Sequence, residues 1–448
     1  MSKINTTPMS GFMELLPAEQ LAFNKMFDTI RYTYELFGFV PLDTPVLERA
    51  EVLLAKVGGE TEKQIYQFKK GDTDLAMRFD LTVPLARYVA EHYGHLTFPF
   101  SRYAMGKVYR GERPQAGRFR EFYQCDIDII GDGELDIQCD AEIPSIIYMI
   151  FHTFGFERFT IRINNRKILN GLFASLGAAD KSTPILQSLD RLEKIGASAV
   201  EQELSALGLA PQMIERIIAF TRISQSQGDV IKALQNLGIT DAQFIKGVDE
   251  LGAVLRLVKE FGIPEHNVAA DLTIARGLDY YTGTVYETRL DDYPDIGSVC
   301  SGGRFDDLAS HYIDRKLPGV GISIGLTRLF DQLIKRGVIK TGAATPTRVL
   351  VLAMMDDMSP SLALATELRK HGIPTEVSFG TAKMKKRLGY ADKLGILYAV
   401  FIGEDEIAKG VFTLKNLQTG MQEELKQDEL ISQLAQKQVC VVQNVLHI

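Results

Sequence analysis

Hydrophobic periodicity changes twice along this 448-residue chain, and that alternation narrows the folds open to it. Residues 18–38 carry Phe23, Met26, Phe27, Ile30, Tyr34 and Phe37 at helical spacing, which predicts an amphipathic helix packed on a core. From residue 40 to about 131 β-branched and aromatic residues dominate, broken by turn signals at Lys70-Gly71-Asp72 and Arg113-Pro114-Gln115-Ala116-Gly117. This predicts strands joined by loops. Residues 141–154 read as an apolar helix, and Phe159-Thr-Ile-Arg-Ile-Asn alternates like a half-buried strand. From 167 to 264 the period becomes helical, with glycines at helix ends. Strand character returns at Asp271, passes through Tyr280-Tyr281-Thr-Gly-Thr-Val-Tyr and a Gly302-Gly303 turn, and ends in a strand and helix from Gly319. One β-rich domain is therefore interrupted by a helical one.

The Gly-Ala-Ala-Thr-Pro composition of residues 340–346 predicts a linker. Beyond it, strands at 349–353, 374–379 and 398–402 alternate with helices at 359–371 and 381–394, implying an α/β domain with a largely parallel sheet. The expected division is 1–166 and 265–339 for the two parts of the core, 167–264 for the helical insertion, and 346–448 for the α/β domain.

Composition excludes several classes. With 46% apolar and 24% charged residues the chain is globular in type, and no apolar run reaches the roughly 18 to 20 residues that span a bilayer. The first residues lack a secretory pattern, so a cytoplasmic protein is expected. Four scattered cysteines without a C-x-x-C pair indicate neither a zinc site nor a disulfide framework. A net charge of −7 leaves a local basic surface for nucleic acid open.

Arg110, Arg113, Arg118 and Arg120 surround a Pro/Gly turn between two strand-like runs. Guanidiniums so crowded repel one another unless an anion meets them, and their planar forks suit phosphate oxygens. Taken alone, the segment has two readings, a polyphosphate site or a solvated hairpin tip. Asp126 and Asp128 follow, alternating with Cys125 and Ile127, so both carboxylates fall on one face of a strand, with Phe122 and Gln124 assigned to the other parity. Such carboxylates bind an ammonium, an imidazolium or a divalent ion, or merely face solvent. A second cluster, Arg276-Gly-Leu-Asp-Tyr280-Tyr281-Thr-Gly, combines a cation, an acid and phenols. The glycines from Gly319 to Gly325 match neither a P-loop nor a dinucleotide fingerprint and read as close backbone packing. No nucleophile elbow or H-E-x-x-H helix is present.

In order along the chain, these segments resemble the three motifs of class II aminoacyl-tRNA synthetases, and of histidyl-tRNA synthetases (class IIa) in particular. Thr44-Pro45-Val-Leu-Glu is similar to motif 1, Val108-Tyr-Arg110-Gly-Glu112-Arg-Pro through Gln124 to motif 2, and Gly319 to Arg328 to motif 3. Arg276-Gly-Leu-Asp-Tyr-Tyr and Ser301-Gly-Gly-Arg-Phe-Asp-Asp-Leu resemble signatures of the histidine enzymes. Asp80 and Asp128, where many bacterial members carry Glu, look like the Asp-bearing, eukaryotic-like branch; Glu14 replaces a usual Asp in the N-terminal signature.

The resemblance implies an α+β class II synthetase core, an antiparallel sheet with flanking helices, carrying an inserted helical domain and a C-terminal α/β anticodon-binding domain. It implies a histidine–tRNA ligase using ATP and Mg²⁺, the latter held mainly through ATP phosphates with no protein metal site. L-histidine and the tRNA for histidine are the other substrates, and the chain is expected as a homodimer. Arg110 and Arg276 would hold the α-phosphate and the amino-acid carboxylate, Arg118 the outer phosphates, Glu112 the adenine edge, with Phe122 and Arg328 enclosing the ring. Asp80, Thr82 and Gln124 would bind the α-amino group, Asp128 and Tyr281 would read the imidazole, and Tyr280 would close the pocket. Lys383, Lys385, Lys386 and Arg387 are the candidate tRNA contacts, with a solvated helix face as the plain alternative. The competing function is a non-catalytic paralogue that senses histidine or tRNA.

Overall fold

The computed structural model describes residues 4–55, 62–113, 117–223, 229–274, 281–306, 309–380 and 382–439. Helix α1 (Pro17–Leu36) leads to β1 (Val40–Pro41), β2 (Leu47–Arg49), α2 (Ala50–Leu54), β3 (Gln67–Lys70), β4 (Thr73–Met77) and α3 (Thr82–His92). The long strands β5 (Phe100–Tyr109) and β6 (Glu121–Ile130) follow, then α4 (Gln138–Thr153) and β7 (Phe159–Asn165). Among the described residues the helices that come next are α5 (Arg166–Ser175), α6 (Ser182–Leu189), α7 (Leu192–Ile195), α8 (Ala197–Ala206), α9 (Pro211–Thr221), α10 (Val230–Gln235) and α11 (Ala242–Glu260). The chain returns to strands in β8 (Val268–Ala270), β9 (Thr284–Leu290), β10 (Ser298–Phe305) and β11 (Gly319–Ile324), and leaves through α12 (Leu326–Lys335).

Eight strands form one sheet in the order β1-β5-β6-β11-β10-β9-β7-β8. The six inner strands are antiparallel, and only the short edge strands β1 and β8 pair in parallel. β2, β4 and β3 make a separate antiparallel sheet. Helix α4 covers one face of the large sheet against β7, β10 and β11, which is why Ile143, Ile146, Ile147, Ile150 and Phe151 are buried. The helical segment joins this layer through α11, which packs on α4, α5 and β7. Gly171 and Gly247 allow that approach: a Cβ at Gly171 would lie 2.4 Å from the Phe244 nitrogen, and one at Gly247 2.7 Å from that of Ile168. Asp241 caps α11 by accepting from the Gln243 and Phe244 amides.

Two expectations from periodicity change. Residues 82–92 are helical, because Val83, Leu85, Ala86 and Val89 fill a helical face inside the otherwise strand-rich stretch. Gly302 and Gly303 form no turn; they lie within β10, where backbone rather than side chain meets the neighbouring strands.

By contact, Thr29–Lys335 and the residues before Glu14 form one compact unit, and Glu14–Asp28 groups with Arg336–Ile448 in the other. The second unit holds β12 (Val349–Ala353), α13 (Ser359–Lys370), β13 (Thr375–Val377), α14 (Met384–Leu394), β14 (Tyr398–Ile402), α15 (Glu404–Lys409), β15 (Phe412–Asn416), β16 (Gln422–Leu425) and α16 (Gln427–Val439). β12 is apolar throughout because both its faces are buried, Val349 and Val351 in one cluster and Leu350 and Leu352 in another. The sheet order is β13-β12-β14-β15-β16. It is mixed rather than largely parallel, since β14, β15 and β16 pair antiparallel. Strands β15 and β16 are polar on one face, which hid them from a search for apolar runs.

One buried ion pair fastens α4 to the sheet. Arg304 of β10 donates through Nε and Nη2 to Asp140, with Nη2 2.5 Å from Oδ2, and Nη2 also reaches the Asp136 carbonyl. Asp140 is fully buried, so Asp140→Ala strands a guanidinium in the interior. We expect an unfolding free energy lower by about 3 to 5 kcal/mol, measured by urea denaturation; a loss under about 1 kcal/mol would mean the pair behaves as a surface one.

Candidate active site

The antiparallel ladder of β5 and β6 determines what faces the central cavity. Its register sets Arg102 opposite Asp128, Ala104 opposite Asp126, Gly106 opposite Gln124 and Val108 opposite Phe122. Phe122, Gln124, Asp126 and Asp128 share one parity and all line a cavity of about 470 Å³. The assignment of Phe122 and Gln124 to the opposite face is thus corrected by the period of two. β11 borders β6 on its other side, and Gly321 faces Asp128 in the ladder. A Cβ at Gly321 would sit 2.2 Å from the Ile127 carbonyl and 2.4 Å from Asp128 Oδ1, so this glycine makes room for the carboxylate.

The cavity has an acidic end and a basic end. At the acidic end Gln124 Nε2 donates to Ser323 Oγ at 2.7 Å, and the Ser323 hydroxyl is bonded to Asp126. Asp80 precedes α3 and accepts from the Val83 amide at 3.1 Å, spending one oxygen on the first turn of that helix. Thr82 opens α3 and also lines the cavity. Among the described residues three buried acceptors of the cavity have neither a hydrogen-bond nor an ion-pair partner: Asp80 Oδ2, Gln124 Oε1 and Asp126 Oδ1. Beneath them Arg102, with no exposed surface, places Nη2 2.5 Å from Asp128 Oδ2 and 3.1 Å from the Leu81 carbonyl.

Burial dominates the ionisation of these acids. It pushes Asp128 up to about 7 and Asp126 up to about 6, with Arg102 opposing the rise and the neighbouring carboxylates adding to it. Asp80 moves in the same direction for the same first reason.

At the basic end Arg110 donates Nε to the Phe79 carbonyl at 3.0 Å, and its guanidinium lies 5.1 Å from the Phe122 ring centroid. Glu112 and Arg118 approach to 3.6 Å across the mouth, with Arg118 largely exposed. Arg328, from α12, is held by the Ile296 carbonyl at 2.6 Å. The Thr327 hydroxyl accepts from the Tyr123 amide, which ties α12 to β6.

Asp80, Thr82, Gln124, Asp128 and Tyr281 therefore share one cavity with Arg110, Glu112, Arg118, Phe122 and Arg328. Arg276 and Tyr280 lie outside the described residues. The four-arginine hairpin divides. Arg120 turns away and donates to the Glu112 and Ser10 carbonyls, so it braces the loop, and Arg113 is exposed and does not line the cavity. In the second unit Lys383, Lys385 and Lys386 are exposed at the start of α14. Arg387 instead donates to Ser378 Oγ, the Ser378 carbonyl and the Ala353 carbonyl, which commits its guanidinium to the fold. Sequence reading missed Arg102 and Ser323. A lone cation within a ten-residue strand was the only signal for Arg102, and its partner depends on the ladder register.

The raised aspartates have a thermodynamic consequence. An aspartate titrates near 3.9 in an unfolded chain, so the folded protein binds Asp128's proton more tightly. The associated stability is full below the unfolded value and is lost as pH rises through about 7. Asp128→Asn removes this titration. Relative to the parent, its unfolding free energy should rise from about pH 5 to about pH 7 by up to roughly 1.4 kcal/mol per pH unit. Urea denaturation across that interval tests this, and a pH-independent difference would refute it.

Comparison with known proteins follows the same geometry. A family model described as "Histidyl-tRNA synthetase" matches residues 11–329, and one described as "Anticodon binding domain" matches 349–437. A histidine–tRNA ligase of Clostridium tetani (strain Massachusetts / E88) is 56% identical over 424 residues, covering 94% of this chain and 96% of the relative. The crystal structure of histidyl-tRNA synthetase from Nostoc sp. PCC 7120 superposes with a TM-score of 0.90 at 43% identity, covering 97% of this chain and all of that one. A Bacillus halodurans protein described as an ATP phosphoribosyltransferase regulatory subunit/histidyl-tRNA synthetase shares the fold at 20% identity and a TM-score of 0.75, covering 90% of this chain and all of that one. The family match spans the strands that build the cavity, and the identity runs along nearly the whole sequence; the chain belongs to the histidyl-tRNA synthetase family.

Proposed function

We infer that this chain activates L-histidine with ATP and transfers the histidyl group to the tRNA for histidine. The observation that carries the reading is the set of three buried acceptors, Asp80 Oδ2, Gln124 Oε1 and Asp126 Oδ1, unpartnered among the described residues, at one end of a cavity whose other end carries Arg110, Arg118 and Arg328. Buried acceptors without partners call for donors. An amino acid with an ammonium group and a ring N–H supplies them, and the arginines suit a polyphosphate.

The chemistry needs no protein base at the first step, since the histidine carboxylate is ionised at neutral pH. One carboxylate oxygen attacks the α-phosphorus, the bond to the β-phosphate bridging oxygen breaks, and pyrophosphate leaves. Arg110, placed by the Phe79 carbonyl and the Phe122 ring, is the described cation set to meet charge growing on the α-phosphate. Arg118 takes the outer phosphates, Glu112 the adenine edge, and Phe122 and Arg328 the ring. Asp80, Thr82 and Gln124 take the α-amino group, and Asp128 and Tyr281 the imidazole. Arg276 and Tyr280 complete these assignments from outside the described residues. A terminal ribose hydroxyl of the tRNA then attacks the acyl carbon and AMP leaves. Mg²⁺ would be carried mainly on the ATP phosphates.

The proposal extends to the whole chain: residues 1–166 and 265–339 as the catalytic core, 167–264 as its insertion and 346–448 as the anticodon-binding domain, in a cytoplasmic homodimer. No helix among the described residues is long and apolar enough to cross a membrane. Lys383, Lys385 and Lys386 stand at a helix N-terminus where the dipole disfavours cations, so a phosphate relieves them. The sensor alternative is weakened by the arginines retained around the cavity and by the second unit.

Purified protein should exchange labelled pyrophosphate into ATP only when histidine is supplied; absence of exchange at saturating histidine and Mg²⁺ defeats the reading. Arg110→Ala should slow exchange by about 10² to 10³ with the fold intact, and near-normal turnover would remove Arg110 from its role. Lys385→Ala combined with Lys386→Ala should weaken tRNA binding and lower its salt slope by roughly 1 to 2. An unchanged slope would assign that helix face to solvent.

A further inference from the structure

Among the described residues Arg102 is the largest fully buried side chain, and it belongs to none of the motifs. It projects from near the start of β5 beneath the acidic end of the cavity without lining it. Its Nη2 is fixed between Asp128 Oδ2 and the Leu81 carbonyl, while among the described residues Nε and Nη1 have no hydrogen-bond partner. A buried cation with two unsatisfied donors is costly. What offsets the cost is the acidic group around it, since its charge favours the ionised forms of Asp80, Asp126 and Asp128 together.

We propose that Arg102 is a specificity-determining positioning residue: it holds the Asp128 carboxylate in the ionised, outward-facing state that accepts a ring N–H of the amino-acid substrate. This rests on the reading of the cavity as a histidine site. Three features support it. Arg102 and Asp128 are directly opposed in the ladder, so the contact is set by backbone register. On the other side of Asp128 stands Gly321, which leaves space for the carboxylate and offers it no charge. The remaining charges facing Asp128 are acids, Asp126 on its own strand and Asp80 ahead of α3, and both oppose its ionisation. The phenol of Tyr34, from α1, also senses Arg102 and Asp126, but burial drives its titration far above neutrality and it contributes no competing proton.

Without Arg102 the Asp128 carboxyl would keep its proton to higher pH and turn from acceptor into donor. A neutral imidazole carries one N–H and one bare nitrogen, so a protonated Asp128 would select the wrong ring face or leave the N–H unmatched. A site built to bond a polar ring discriminates by that match.

The test is histidine-dependent pyrophosphate exchange as a function of pH, with KM resolved separately for histidine and ATP. Wild-type protein comes first; no histidine-dependent exchange there defeats the functional reading and leaves Arg102 out of account. Given wild-type exchange, Arg102→Met should raise the histidine KM by at least about 30-fold, the lower range for losing one partner of a buried charge pair, with ATP KM within about twofold. Its acid limb in kcat/KM for histidine should move to higher pH; the titration of free histidine is common to both proteins and cancels. A folded Arg102→Met protein with unchanged histidine KM and unchanged acid limb overturns the proposal. So does a fall in kcat alone, which is the mark of a purely structural role. Should Arg102→Met fail to fold, Arg102→Lys decides. It keeps a buried cation but not the planar fork, so the acid limb should stay while histidine KM rises several-fold, and a wild-type histidine KM overturns the proposal.

Discussion

A guanidinium sealed from solvent under three carboxylates is the interaction on which the rest of the site depends. Arg102 lies in the interior because β5 is an inner strand of the eight-stranded sheet, and it remains tolerable there because β6 sets Asp128 directly across from it. Burial and repulsion push the acids toward neutrality, and Arg102 pulls the other way, joined by Arg110 at Asp80 and Asp126. Asp126 and Asp128 titrate near neutrality as a result, which leaves the acidic end of the cavity responsive to what enters it.

The same sheet supplies both the chemistry and the space. Gln124, Asp126 and Asp128 project every second residue from β6, while β11 and β10 answer with Gly321, Gly302 and Gly303, where side chains would collide with backbone. The arginines come from elsewhere: Arg110 from the end of β5 and Arg328 from α12, each held by a carbonyl. Antiparallel strands thus bring a donor-seeking end and an anion-seeking end into one cavity. Arg304 and Asp140 fix α4 behind this arrangement.

Much of this was legible beforehand, for identifiable reasons. Helical and strand periods located α1, α4, β7, the helices from α5 to α11 and the alternation from β12 to β14. The candidate residues of motifs 2 and 3 were named through the family resemblance, and six of them, Arg110, Glu112, Arg118, Phe122, Gln124 and Arg328, line one cavity. Failures had physical causes as well. Helix α3 was missed inside a strand-rich stretch, because short apolar runs serve either structure. The parity of Gln124 was misjudged, and Gly302-Gly303 looked like a turn because glycine signals both turns and close strand packing. Strands β15 and β16 carried too little apolar signal.

The sequence by itself determined the order of the strand-rich and helical segments, the family and the candidate residues of the site, because these are written locally in period and motif. Only the tertiary structure decided that Arg120 and Arg387 brace backbone while Arg110 faces the cavity, and that Arg102 answers Asp128. Those outcomes depend on ladder register and on burial. Both arise when segments far apart in the chain pack together, and burial in turn sets which charges must find a partner.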